Sequence, residues 1–179
     1  MKVDLDGNFN VATSPEETFS FLIDPKRFAP LLPYFKELKN VNHDEFDVVL
    51  EIGIPQIRGI VEVHVKLLEV VVPSRALYRS SGRHALGMVD SDMRFTVEPI
   101  AEGSKVTWSC VSIVNGTLAS LAQGILVPLA KRQIKSLVKT VQDAFKPVEV
   151  DVAPAADGLM KRVMAYLHGL FLKKKGATS

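Results

Sequence analysis

The sequence predicts an α+β domain: a curved antiparallel sheet of about seven strands wrapped around a long C-terminal helix, with two short helices after the first strand. Three observations point there. Residues 1–11 alternate apolar and polar side chains, residues 36–115 carry strand patterns punctuated by turn residues, and residues 117–145 repeat apolar side chains every three or four positions.

In the first strand Val3, Leu5, Phe9 and Val11 alternate with Lys2, Asp4, Asp6, Asn8 and Asn10, so one face is buried. Ser14-Pro15-Glu16-Glu17 follows. A serine cap, a proline at the first helical position and a glutamate three residues after the cap suit the free amides of a helix start. Asp24-Pro25 repeats the device, giving helices over about 15–23 and 25–31, the second stopped by Pro30 and Pro33. About six strands are then expected from Lys36 to Asn115, divided by Asn42-His43-Asp44, the Gly53 to Gly59 region, Pro73-Ser74, Gly82 to Gly87 and Glu102-Gly103. Val61, Val63, Val65 and Leu67 share one face, against Glu62, His64 and Lys66. Met93, Phe95 and Val97 stand likewise against Arg94, Thr96 and Glu98. From Thr117 to Phe145 the helical spacing predicts one long helix with a kink near 124–128, where Pro128 sits.

A chain of 179 residues, 47% hydrophobic and 23% charged, is the size of one globular domain with a short appendage. The expected division is a domain at 1–146, a Pro/Ala linker at 147–158 and a basic amphipathic tail at 159–179. Cys110 is the only cysteine and cannot form an internal disulfide. A net charge of +2 is too mild to argue for nucleic acid. MKVDLDGNFN lacks the apolar run of a signal peptide, and no run approaches the roughly 20 apolar residues that span a bilayer. A cytoplasmic protein, peripherally associated with a membrane, is expected.

No nucleophile elbow, phosphate loop, HExxH or dinucleotide fingerprint occurs, so no catalytic residue and no metal site is expected. His43, His64, His84 and His168 fall in turns, on a wet face or in the tail, and read as solvated histidines. The concave face should gather Val63, Val65, Tyr78, Ser80, Met93, Phe95 and Trp108 beneath Leu118, Leu121 and Ile125 on the helix. Alternation looks the same over a packed interior and a hollow one, so the residues alone leave both open. Tyr78, Ser80 and Trp108 are the candidate donors at that depth, and Arg83 with His84 are candidates to guard an entrance.

In the tail, Met160, Val163, Met164, Leu167, Leu170 and Phe171 follow helical spacing. Lys161 and Arg162 lie elsewhere on the turn, and Lys173, Lys174 and Lys175 close the segment. A helix from 159 to 172 would be about 21 Å long, too short to cross a hydrocarbon layer of about 30 Å but able to lie on it. Each cation near an anionic leaflet is worth about 1 kcal/mol. The same stripe also suits docking on a partner protein.

The order of elements resembles the helix-grip fold of the START and birch-pollen-allergen (SRPBCC) superfamily. MKVDLDGNFNV with SPEETFSFLIDPKRFAPLLP, then GRHALGMVDSDMRFTVEP, then WSCVSIVNGTLASLAQG resemble the G-subunit family of carbon monoxide dehydrogenase over residues 1 to about 146. The resemblance implies a hydrophobic cavity between sheet and helix, with Met88 and Met93 as adaptable lining. It also implies an accessory, non-catalytic role beside a molybdenum carbon monoxide dehydrogenase or related hydroxylase, membrane recruitment, and binding of a respiratory quinone or similar lipid, with no intrinsic cofactor. A helix-grip enzyme acting on an aromatic or polyketide-like substrate, and a ligand-free assembly factor, are the alternatives.

Overall fold

The computed structural model describes residues 1–146; the linker and tail expected at 147–179 lie outside the described residues. Seven strands form one antiparallel sheet in the order β1-β7-β6-β5-β4-β3-β2. They are β1 (Lys2–Val11), β2 (Phe35–Lys39), β3 (Glu45–Ile54), β4 (Ile57–Val71), β5 (Arg75–His84), β6 (Gly87–Ile100) and β7 (Gly103–Val114). The first strand pairs with the last, from Lys2 opposite Ile113 to Val11 opposite Ser104. Because β1 and β2 are opposite edges, the helices joining them must cross the sheet, and they do so over its concave face.

Those helices are α1 (Pro15–Ile23) and α2 (Pro25–Phe28), continued by a 3-10 turn at Ala29–Leu31. Ser14 caps α1, its Oγ accepting from the Glu17 amide at 3.3 Å, with Pro15 in the first turn. Asp24 caps α2, its Oδ1 accepting from the Lys26 amide at 2.9 Å. On α1, Phe19 is 1% exposed and anchors a core with Ala76, Tyr78, Phe95, Val97 and Val106. Thr18 and Ser104 are both fully buried and their hydroxyls lie 2.6 Å apart. Ser104 donates its one proton to the Thr13 carbonyl at 2.9 Å, so Thr18 must be the donor to Ser104. This chain of hydrogen bonds ties α1 and the turn before it to the start of β7.

The long helix is not continuous. Residues 117–145 form α3 (Thr117–Leu121), a π-helical segment at Ala122–Leu126, and α4 (Val127–Ala144). Proline has no amide to donate and its ring crowds the preceding turn, so the chain widens just before Pro128, which then falls in the first turn of α4. The expected kink is therefore a π segment beginning at Ala122. Two hydrophobic clusters fix the two ends of this helical stretch: Leu118 with Ile57 and Val114, and Val141 with Val11 and Phe21. Gly116 enters α3 at φ +71°, and a Cβ there would lie 2.8 Å from the Gly87 Cα, so both turns require glycine.

Candidate ligand-binding cavity

The side chains on the concave face do not meet in the middle. Two adjoining hollows, of about 230 Å³ and about 350 Å³, lie between the sheet and the helices. An apolar cavity of about 150 Å³ suffices to hold benzene, so either has room for an aromatic ring.

The smaller, short-helix lobe lies under α1 and α2. Leu22, Ile23, Pro25 and Phe28 roof it, and Phe46, Val48, Val63, Val65, Tyr78, Ser80, Ser91 and Met93 form its floor and walls. The larger, long-helix lobe lies under α4, with Ala130, Ile134, Leu137, Val138 and Val141 above, and Leu5, Phe9, Phe95, Val106, Trp108 and Ser112 below. Leu22, Phe28, Met93 and Cys110 belong to both.

Strand register explains the polar positions. Ser80 pairs with Ser91 across β5 and β6, and Ser91 with Ser112 across β6 and β7, so three small hydroxyls form one row across the concave face. The next row is Tyr78, Met93 and Cys110. Ser91 and Ser112 satisfy each other at 2.8 Å, and Cys110 Sγ lies 3.6 Å from the Ser112 hydroxyl. Tyr78 and Ser80 have no such partner among the described residues, yet no enclosed polar side-chain atom is left unsatisfied. Their hydroxyls therefore face the empty space. Burial pushes the Tyr78 hydroxyl up to about 12, so at neutral pH it is a proton-bearing donor. Neither lining contains Asp, Glu, Lys, Arg or His among the described residues. Among the described residues, no group of three or more His, Cys, Asp or Glu is placed to hold a metal ion.

Of the residues expected in the site, Val63, Val65, Tyr78 and Ser80 line the short-helix lobe, Phe95 and Trp108 the long-helix lobe, and Met93 both. Leu118, Leu121, Ile125 and Met88 line neither. Leu118 and Leu121 pack around Ile57 and Val114, and Ile125 faces the β3–β4 turn beside Pro55. Leu118 and Leu121 precede the π segment and Ile125 lies within it, whereas it is α4, beyond that segment, that covers the hollow. Met88 stands at the far end of β6, opposite Arg83. Arg83 and His84 line neither lobe; His84 Nε2 lies 3.1 Å from the Arg58 carbonyl oxygen. His64, on the convex face, has Nδ1 2.7 Å from Asp47. Sequence reasoning missed Ser91, Ser112 and Cys110, and chose the roof residues from the first part of the 117–145 helical stretch where the lobe lies under its second part. The signal available was small polar residues at inward-facing positions of consecutive strands.

A model of the carbon monoxide dehydrogenase G-subunit (CoxG) family matches residues 7–145. The chain belongs to that family. No curated protein matches the chain. Among solved structures, a conserved protein from Geobacillus kaustophilus aligns with TM-score 0.73 at 22% identity, covering 80% of this chain and 95% of the other. The di-domain aromatase/cyclase StfQ from the steffimycin pathway aligns with TM-score 0.59 at 14% identity, over 81% of this chain and 51% of its own. Ara h 8.0201 aligns with TM-score 0.53 at 13% identity, over 79% and 98%. These likenesses establish that this CoxG-family chain has the helix-grip fold. Among its described residues no helix is long and apolar enough to cross a membrane.

Proposed function

We propose that this CoxG-family chain is a non-catalytic carrier for a lipophilic ligand, a respiratory quinone or similar lipid, and that it recruits a molybdenum carbon monoxide dehydrogenase-type enzyme to the membrane. The observation that carries the reading is the hollow itself: large enough for a ring and part of a chain and, among the described residues, free of charged side chains and furnished with two unpaired hydroxyls, Tyr78 and Ser80. A quinone carbonyl buried without a donor loses its hydrogen bonds to water, and these hydroxyls replace them. The family supports the dehydrogenase partner. The membrane-facing part of the reading rests on the tail sequence, with Met160, Val163, Met164, Leu167, Leu170 and Phe171 as the inserting stripe and the surrounding cations on headgroups.

An enzyme acting on an aromatic substrate is the rival, and the likeness to StfQ supports it at the level of fold alone. Tyr78 and Cys110 are the ionisable side chains of the two linings, and a phenol held at about 12 is a donor rather than a base. That favours the carrier.

The test incubates the purified full chain with vesicles containing decylubiquinone, re-isolates it, extracts it with solvent and quantifies the quinone by mass spectrometry. The carrier reading expects close to one quinone per chain; a chain re-isolated empty overturns it. Co-sedimentation with anionic vesicles tests the tail separately. A chain ending at Lys146 should pellet less than the full chain, and equal pelleting removes the tail from the function.

A further inference from the structure

A third hollow opens on the outside of the domain, between edge strand β1 and α4. This crevice, of about 460 Å³, has Asp4, Asp6 and Asn8 on one rim and Lys131 and Lys135 on the other. Its floor is apolar: Leu5, Trp108, Ile134 and Val138. Those same four side chains line the long-helix lobe, so only their thickness separates the crevice from the cavity.

Few polar links hold the two sides of the crevice together among the described residues. Strand β1 is paired, among the described residues, along its other side only, with β7. Among the described residues one hydrogen bond joins α4 to β1, from Gln142 Nε2 to the Asn10 carbonyl at 2.8 Å. It sits at the end of both elements, beside the Val11, Phe21 and Val141 cluster. Among the described residues no ion pair or hydrogen bond links Asp4, Asp6 or Asn8 to Lys131 or Lys135; Asp4 is paired with Lys2 on its own strand. The π segment just before α4 supplies a bend from which the helix can tilt. Trp108 belongs to the linings of both crevice and lobe, its indole laid over Gly7, where a Cβ would come within 2.9 Å of it.

We propose that this crevice is the mouth of the cavity, that an elongated apolar molecule enters there ring first, and that its trailing chain lies along Leu5, Ile134 and Val138 past Trp108, which acts as the gate. The proposal rests on the carrier reading. It assigns the crevice to the ligand's chain and leaves the Tyr78 and Ser80 hydroxyls to its ring. A long isoprenoid chain that the two lobes cannot enclose then has a defined exit.

The test uses the full chain and the uncharged probe N-phenyl-1-naphthylamine, whose fluorescence rises in apolar surroundings, followed by stopped flow. Asp6→Cys with Lys135→Cys, in a Cys110→Ser background, places one thiol on each rim for a reducible bis-methanethiosulfonate bridge. Bridging should slow probe uptake by about tenfold or more, and a reductant should restore it. Because reduction recovers the same molecule, misfolding does not mimic the result. Trp108→Ala should raise the association rate by about tenfold. A change in dissociation alone would mark Trp108 as a contact and not a gate. Uptake by the bridged chain at the unbridged rate overturns the mouth while leaving the carrier standing. Failure of the wild-type chain to bind the probe at equilibrium overturns both.

Discussion

The Trp108 indole lies across β1 at Gly7, so closely that a Cβ on Gly7 would sit 2.9 Å from Trp108 Cζ2. The strand carries no side chain at the point where Trp108, which lines both the long-helix lobe and the outer crevice, crosses it. Gly7→Val should drive the indole off the strand and toward the long-helix lobe, at a cost of about 1–3 kcal/mol in stability. Trp108 is the sole tryptophan, so its emission reports the move directly. An unchanged spectrum and an unchanged urea midpoint would contradict the contact.

Thr18 donates to Ser104, and Ser104 to the Thr13 carbonyl, with both side chains fully buried. Removing the middle of this chain strands Thr18 without an acceptor. Ser104→Ala should therefore cost about 1–3 kcal/mol in chemical unfolding, whereas Ser104→Ala combined with Thr18→Val should recover part of the loss. Additive penalties in the two single variants would show that the hydroxyls are not coupled.

Tyr78 has its pKa raised by burial from 10.0 to about 12. The unfolded chain then releases this proton first, binding fewer protons than the folded chain above pH 10. Stability attached to this group is fully present below about pH 10 and is lost as the pH rises toward about 12. Replacing it by Tyr78→Phe should flatten that alkaline decline in urea titrations between pH 9 and pH 12. A decline of the same slope in both proteins would place the proton loss elsewhere.

Ser80 faces the short-helix lobe opposite Val65 with no hydrogen-bond partner among the described residues. Ser80→Leu fills the space at a position where no protein hydrogen bond is lost. Affinity for a short-chain quinone should fall by about tenfold or more, while the thermal midpoint holds or rises, as is usual when a binding hollow is filled. Undiminished binding by this variant would remove the lobe from the ligand site.

Local signals carried the fold. Ser14 with Pro15 and Asp24 with Pro25 name their helix starts because capping needs only neighbouring residues. The alternation in β1 and β4 names the buried face because a strand's period is two. What depends on distant partners was not legible. That Ser80, Ser91 and Ser112 fall in one row follows from registers set by three strands together. Leu118, Leu121 and Ile125 continue the same apolar periodicity as Ile134, Leu137 and Val141, and only the π segment shows that the first group packs elsewhere. Hollow and filled interiors share one alternation pattern, so the cavity itself needed coordinates.

Quenching of Trp108 by decylubiquinone is the most direct measurement of the central claim, because that side chain lines the long-helix lobe and is the chain's one tryptophan. The carrier account predicts saturable quenching at one quinone per chain, weakened in the Ser80→Leu variant. Quenching that rises linearly with quinone, indistinguishable from that of free N-acetyltryptophanamide, would contradict it.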